Sequence, residues 1–438
     1  MSSNAKHLHS IDAGHYKNTA SCETEIMPIP DIVKISMSQH IGAPCKPQVK
    51  KGDEVKVGQV IGDTDAFVSA PIHASVSGTV KGIETQRNAM GGSDTLVVIE
   101  ADKKQELAEG IKAPEITDME SFVAATRASG LVGLGGASFP THIKFNPKNK
   151  DEVKTFIVNG AECEPFITSD HRTMLEDAQN VIDGALEIMK WLETDMGYIG
   201  IEQNKPDAIA QFDRMIAEQG ITNLKTFKLL DKYPKGAERV LIYEITGQHC
   251  PAGVLPADLG VIVSNVTSVA FFGQYLKDGI PLIKKRMTID GDAVKEPKNI
   301  IAPIGTQIHD IMEFCGGYKE EPTKILMGGP MMGRAIFSDA MPIVKNNNAI
   351  LAFSKKQAHI PEETACINCG RCHQACPFNL LPTGLAEAYE RGDAQRLSDL
   401  QVMQCMECGS CSFVCPARRP LAFINKLGKG LVKEAGIK

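Results

Sequence analysis

The chain has no uninterrupted apolar stretch of the ~18 residues that a membrane-crossing helix requires. The nearest approach, GVIVSNVTSVAFFGQYL from Gly260, is broken by serine, asparagine and threonine. The N-terminal MSSNAKHLHSIDAGHYKN contains no apolar h-region, so no secretory signal is expected. Basic residues are not in excess either. The 47 Lys and Arg face 53 Asp and Glu, a formal net charge of −6 that gives no reason to expect nucleic acid. What the chain does hold is cysteine. Thirteen cysteines without an export signal point to a reducing compartment, and to metal rather than disulfides. At 438 residues and 43% hydrophobic, the chain can bury several cores. A prior of roughly 100–200 residues per domain suggests about three domains.

Eight of the cysteines sit in two copies of one pattern, CINCGRCHQACP from Cys366 and CMECGSCSFVCP from Cys405. Each copy spaces its thiols C-x2-C-x2-C-x3-C and closes with proline. Four thiolates within such a short run form a sulfur-only claw suited to a cubane iron–sulfur cluster, whose irons each take one thiolate. Zinc also takes four sulfurs, usually from two separated C-x2-C knuckles, and remains the alternative. The spacing is that of two-cluster ferredoxins, in which the fourth cysteine of each run ligates the other cluster. One [4Fe–4S] cluster is then expected on Cys366, Cys369, Cys372 and Cys415, the other on Cys405, Cys408, Cys411 and Cys376. Between the runs, LPTGLAEAYERGDAQRLSDLQVM reads as two short helices with Asp393 as an N-cap. The remaining Cys22, Cys45, Cys163, Cys250 and Cys315 read mostly as small buried hydrophobes.

The rest of the chain changes period along its length. From Asp31 to Glu100, apolar and polar residues alternate with frequent glycine. KKGDEVKVGQVIGDTD and SAPIHASVSGTVKGIE look like two related hairpin halves and resemble the barrel-sandwich fold of biotinyl and lipoyl carriers. The turn between them, DTDAFV, lacks the carrier lysine, so a structural or docking role is expected. From Asp118, strands and helices alternate: helix SFVAATRASG, strand TFIVNGAE, helix RTMLEDAQNVIDGALEIMKWLE, strand MGYIGI, helix DAIAQFDRMIAEQG, strand LKTFKLL. The long helix puts Met174, Ala178, Val181, Ala185, Ile188 and Leu192 on one face. Such alternation predicts a mostly parallel α/β sheet, with ligands beyond the carboxyl ends of its strands. The unusual loops NGAECEP, EQNK and DKYPKGAE fall there. Residues 281–340 resemble a soluble-ligand-binding β-grasp unit, as a packing module or a ligand site.

GLVGLGGASFPTHIKF, from Gly130 to Phe145, suggests phosphate binding through Gly133, Gly135, Gly136 and Lys144, or an ordinary tight connection. It follows a helix, whereas a Rossmann fingerprint follows a strand. Taken in order, GLGGASFPTHIK, NGAECEP, YPKGAERVLIYEITG and VIVSNVTSVA resemble the NADH- and FMN-binding flavoprotein subunit of respiratory complex I. With the barrel-sandwich start, the β-grasp unit and the double cluster motif, nearly the whole chain resembles the RnfC component of the Rnf complexes.

That resemblance implies roles residue by residue. Gly133, Gly135, Gly136 and Lys144 match the loop that holds the flavin phosphate and ring, and Phe139 the aromatic of the nucleotide site. Asn159 and Glu164 match residues beside the isoalloxazine, with Glu164, the hydride-site residue, also near the nicotinamide ribose. Glu162, two residues before it, would share that pocket if strand geometry persists. Tyr233, Gly236 and Glu238 match the flavin-proximal loop, and Asn265 the later asparagine. Ala161 and Ala237 stand where complex I carries acidic residues, and the complex I C-terminal cysteine motif is absent.

The resemblance implies FMN, NAD(H) and two [4Fe–4S] clusters in one component of an ion-translocating ferredoxin:NAD+ oxidoreductase. Its partners would be other Rnf subunits, including a ferredoxin-like iron–sulfur subunit and integral membrane subunits, and indirectly ferredoxin. It would lie peripherally on the cytoplasmic side of the membrane. A flavin and iron–sulfur cobalamin reductase, or a non-catalytic electron-wire docking subunit, are the alternatives. The expected architecture is multidomain α/β and α+β. It comprises an N-terminal extension (1–30), a barrel-sandwich domain (31–112), an FMN/NADH-binding α/β domain (113–275), a β-grasp domain (276–345) and a helical two-cluster ferredoxin-like domain (346–438). The basic tail from Ala417, with six Lys and Arg against one Glu, reads as a terminal helix capping the last domain or as a membrane-surface segment.

Overall fold

A computed structural model of the chain describes residues 7–88 and 91–437. The first six residues of the expected extension, and Lys438 of the basic tail, lie outside it. Alternating apolar residues build the first domain. Beyond β1 (Thr24–Ile26), the strands β2 (Ile32–Ser36), β3 (Lys46–Pro47), β4 (Glu54–Val55), β5 (Val60–Asp63), β6 (Ile72–His73), β7 (Gly78–Arg87) and β8 (Ser93–Ala101) form two sheets. Their orders are β2-β8-β7-β4 and β3-β5-β6. Val33, Ile35, Ile61, Ile72, Val80, Val97 and Ile99 fill the space between the sheets. The turn without a lysine is anchored. Both carboxylate oxygens of Asp63 accept hydrogen bonds from Arg127, at 2.7 and 3.1 Å, which docks the sandwich onto the next domain.

That domain opens with α1 (Met119–Ala128), capped by the Asp118 side chain, and the short α2 (Thr141–Lys144). The chain then alternates: β9 (Thr155–Gly160), α3 (Ser169–Glu176), α4 (Ala178–Leu192), β10 (Met196–Glu202), α5 (Pro206–Glu218), β11 (Leu224–Leu229), α6 (Glu238–Thr246), β12 (Val261–Asn265), α7 (Val266–Asp278). The sheet order is β11-β10-β9-β12, every pair parallel, as the alternation predicts. The helix expected over residues 172–193 is two helices, broken at Asp177. Arg286 from the following domain pairs with Glu176 and Asp177 at the break, at 3.0 and 2.8 Å, so a tertiary contact overrides the helical pattern there. Met174, Ala178, Val181, Ala185, Ile188 and Leu192 are buried on one side, as expected. There α4 lies against α7 where Gly184 meets Gly273; a Cβ on Gly273 would stand 2.1 Å from the Asn180 carbonyl oxygen. The opposite face of the sheet is covered by α6.

The third unit contains β13 (Lys284–Asp290), β14 (Lys298–Pro303), α8 (Ile308–Phe314), β15 (Lys324–Met327), β16 (Arg334–Ile336) and β17 (Ala349–Phe353). Its sheet runs β1-β14-β13-β17-β15-β16, with β13 and β17 parallel at the centre and α8 packed on one face. Strands from both sides of the expected 276–345 span join it. β1 covers the open edge of β14, and β17 fills the gap between β13 and β15.

The last unit is helical: α9 (Arg371–Gln374), α10 (Pro382–Glu390), α11 (Ala394–Asp399), α12 (Ser410–Phe413) and α13 (Leu421–Glu434). The sequence repeat is a structural one. Gly370 and Gly409, each following a second cysteine, take left-handed φ of 74° and 82° and start α9 and α12. Asp393 caps α11 as expected, accepting from Arg396 N–H. The basic tail forms α13, which buries Leu421, Asn425, Gly428 and Val432 within this unit. Among the described residues, no helix is long and apolar enough to cross a membrane.

Candidate functional site

From β9 the chain steps outward to β10 and β11, then returns through β12 on the other side of β9. That reversal makes the carboxyl ends of β9 and β12 a topological switch point, the place where open α/β sheets bind ligands. Asn159 and Asn265 sit there in register. Asn159 donates to the Gly236 carbonyl at 2.9 Å and accepts from Ala161 N–H at 3.1 Å, tying together the loops after β9 and β11. Asn265 caps α7 by accepting from the N–H groups of Thr267 and Ser268. Its Nδ2 donates to Asp170 at 2.7 Å.

The glycine loop arches over this end. Gly133 N–H donates to the Phe139 carbonyl, closing the loop, and Leu134 N–H donates to Ser268 Oγ on α7. Gly135 lies against Asn265, where a Cβ would stand 2.7 Å from Nδ2; beyond Gly136 the space is open. The tip from Gly135 to Ala137 is exposed, and among the described residues its N–H groups have no protein acceptor. Free N–H donors beside the start of a thirteen-residue helix suit a phosphate, so the residues present fit FMN. Phe139 is half-buried. Lys144 does not reach the tip. It donates to Glu238 (3.0 Å) and to the Val263 carbonyl (2.9 Å) beneath it.

Glu162 and Glu164 part company, contrary to the expectation of a shared pocket. The strand ends at Gly160, so its alternation does not extend to them. Glu162 is buried against the start of α3, accepting from Asp170 N–H (2.7 Å) and His171 N–H (3.3 Å). Burial pushes its carboxyl up to about 7, against the pull of Lys17. Glu164 accepts from Met331 and Met332 N–H, at 3.0 and 2.9 Å, in the loop between β15 and β16. Burial raises it to about 7 as well, held down by those two N–H groups. Lys17 carries no signal in the sequence, where it is one lysine among many. In the fold it is a central strut: its ammonium donates to the carbonyls of Glu162, Glu164 and Ile167.

The eight cysteines form two rings. One cavity is lined by Cys376, Cys405, Cys408 and Cys411, the other by Cys366, Cys369, Cys372 and Cys415. The crossing expected from the spacing therefore appears in space. Among the described residues no group of three or more potential ligands is arranged to hold a single metal ion. Burial, and then the neighbouring Cys408, Cys405 and Cys376 sulfurs, push the Cys411 thiol up. In the other ring Cys369 is exposed and Cys366 partly so.

The first ring abuts the flavin domain. Tyr233 is buried and its Oη donates to the Cys408 carbonyl at 2.6 Å. Ile11, Ala13, Tyr233, Ala375 and Cys408 share one small core, with Cys163 and Met331 at its edge. Gly236 passes so close to Ala161 that a Cβ would stand 2.6 Å from its carbonyl oxygen.

Comparison with known proteins adds three relatives, each the RnfC-type component of its complex. The chain is 46% identical over 382 residues to that of the proton-translocating ferredoxin:NAD(+) oxidoreductase complex of Clostridium ljungdahlii, spanning 86% of this chain and 82% of that one. It is 42% identical over 365 residues to that of the Na(+)-translocating ferredoxin:NAD(+) oxidoreductase complex of Acetobacterium woodii, spanning 83% and 82%. With that of the ion-translocating oxidoreductase complex of Rhodobacter capsulatus it shares 37% over 424 residues, 96% and 82%. The chain belongs to the RnfC family. The RnfC barrel sandwich hybrid domain matches residues 9–104 and the Nuo51 FMN-binding domain 126–272. The SLBB domain matches 286–335 and the 4Fe-4S dicluster domain 359–416. As an RnfC protein the chain is thus a mixed α/β flavin and iron–sulfur protein with barrel-sandwich, FMN-binding, SLBB and dicluster domains. A chain of the NAD+-reducing [NiFe]-hydrogenase in its H2-reduced state shares the fold, with TM-score 0.50 and 16% identity over 72% of this chain and 61% of that chain.

Proposed function

We propose that this chain exchanges hydride with NAD(H) at the switch point and single electrons with its partners through the two cysteine rings, as the NAD-linked electron-transfer component of an ion-translocating ferredoxin:NAD+ oxidoreductase. The observation that carries this reading is the hydrogen bond from Tyr233, on the flavin-proximal loop, to the carbonyl of the cluster ligand Cys408. With Tyr233 at the flavin, as the resemblance implies, this bond would link the two cofactor sites. FMN, when bound, accepts an electron pair as hydride and releases electrons one at a time, which NAD(H) and clusters cannot do for each other.

The chain's own residues divide the work. The free N–H groups of the Gly135–Ala137 tip hold the flavin phosphate. Asn159 and Asn265 fix the floor of the site, and the Lys144–Glu238 pair holds the loop after β11 against the glycine loop. Glu164 orders the loop at Met331 and Met332, placing its own carboxylate at the edge where the nicotinamide ribose is bound. The ring of Cys376, Cys405, Cys408 and Cys411 faces the flavin. The ring of Cys366, Cys369, Cys372 and Cys415, with Cys369 exposed, faces the partner. The SLBB unit has the central parallel pair and packed helix of a β-grasp, and acts here as a packing module between flavin and cluster domains. The chain sits peripherally on the cytoplasmic face of the membrane, bound to integral subunits.

The test is anaerobic purification with flavin, iron and sulfide analysis, followed by NADH titration. Stoichiometric FMN, two [4Fe–4S] clusters and bleaching of both chromophores by NADH are expected. A clustered protein whose visible spectrum ignores NADH would sink the hydride role. Cys376→Ala probes the ligand sets: it should alter the EPR signal of the second-run cluster and spare the other.

A further inference from the structure

Arg239 is the second residue of α6, and its side chain reaches into the cluster domain. Its Nε donates to the Cys250 carbonyl at 2.5 Å. One terminal nitrogen donates to the Gln404 carbonyl (2.9 Å) and the other to Gln404 Oε1 (2.7 Å). Gln404 Oε1 also accepts from Ala252 N–H at 2.8 Å. The guanidinium lies 4.0 Å from the ring centroid of Phe378. Gln404 immediately precedes Cys405, and Phe378 follows Cys376 by two residues. The charge is therefore wedged between the two chain segments that together supply one thiolate ring.

Among the described residues no carboxylate pairs with Arg239. All its hydrogen-bond acceptors are neutral. Three hydrogen bonds and the Phe378 ring offset part of the cost of this half-buried charge, and a nearby anion would offset more. The four cysteines beside Arg239 would hold a [4Fe–4S] cluster, which with its thiolate ligands is anionic and gains one negative charge with each electron it accepts. A fixed positive charge at its edge favours the more negative, reduced form and so raises the reduction potential; net charge and hydrogen bonding are among the terms that set such potentials.

We propose that Arg239 is a positioning and tuning residue that raises the reduction potential of the cluster on Cys376, Cys405, Cys408 and Cys411. The proposal rests on the crossed ligand sets above. If those were wrong, Cys376→Ala would alter the first-run signal instead, a result separate from the one tested here.

The experiment is an EPR-monitored redox titration of the anaerobic, fully clustered protein carrying Arg239→Gln and Arg239→Lys. The signal perturbed by Cys376→Ala identifies the cluster concerned. In Arg239→Gln that cluster should titrate at a lower potential while the other stays at its wild-type value. Arg239→Lys keeps the charge and should remain near wild type, even though it loses the planar fork. Should Arg239→Gln fail to hold the cluster, Arg239→Met, with an unbranched apolar stem against Phe378, replaces it in the titration. An intact cluster at wild-type potential in the neutral variant would overturn the proposal. So would an equal shift of both clusters, since a loosened fold would move both.

Discussion

At the scale of single residues, Glu164 carries two burdens. Its oxygens satisfy two backbone N–H groups of the loop at Met331 and Met332, and the family resemblance places it at the nicotinamide ribose. Glutamine keeps the size but offers one acceptor oxygen, leaving one N–H unpaired. Losing the charge-assisted hydrogen bond to the nicotinamide ribose that the resemblance implies would cost about 1.5–3 kcal/mol. Glu164→Gln should therefore lower kcat/KM for NADH roughly 10- to 150-fold, with FMN content retained. Wild-type NADH kinetics in the flavin-replete variant would dismiss the role. The same residue makes a pH prediction. Its folded pKa of about 7 lies above the ordinary glutamate value of 4.5, so the native state binds the extra proton between them. Stability from this group is present in full below pH ~4.5 and falls as pH rises towards 7, by about 3 kcal/mol. Thermal melts from pH 5 to 7 should show a shallower decline in Glu164→Gln than in wild type.

At the scale of elements, the glycine loop works because it is thin where it crosses the start of α7. Gly135 does not need a left-handed conformation; it needs the absence of a Cβ, which would stand 2.7 Å from Asn265 Nδ2. Gly135→Ala pushes the loop off its seat. Overpacking of this kind costs about 1–3 kcal/mol. FMN affinity should fall by roughly tenfold or more while the cluster spectrum is unchanged, as measured by flavin retention on desalting. Loss of the clusters as well would mean that the loop supports the whole assembly. The helix pattern over residues 172–193 shows how far periodicity reaches. The six positions it put on one face are all buried, yet it missed Ile182 and Met189, which are buried too, and the break at Asp177, because the arginine that pairs there comes from β13.

At the scale of the whole molecule, four parts of the chain converge on one short region. The N-terminal segment reaches it through Lys17, the SLBB unit through Met331, the flavin domain through Tyr233 and the cluster domain through Cys408. Electron transfer falls off steeply with distance, so a rigid meeting point favours it over a flexible tether. Among the described residues no helix is long and apolar enough to cross a membrane, and the peripheral attachment proposed above makes a prediction. The chain should leave membrane vesicles on washing with chaotrope or high salt and no detergent. Retention under those conditions would point to an anchor of another kind.

The sequence by itself determined the chemistry that depends on local spacing. Cysteines at C-x2-C-x2-C-x3-C match the two-cluster ferredoxin pattern, in which the fourth cysteine of each run serves the other cluster, and the two cavities group the eight cysteines in that way. Alternating strands and helices fixed the parallel sheet and hence the end at which Asn159 and Asn265 meet. Tertiary structure alone decided what the loop side chains touch. Glu162 turned to α3 and Glu164 to the β15–β16 loop because strand periodicity stops at Gly160; past that point partners such as Met331 come from elements more than a hundred residues away. Lys17, Tyr233 and Arg239 owe their places to the same long-range packing, which no local pattern encodes.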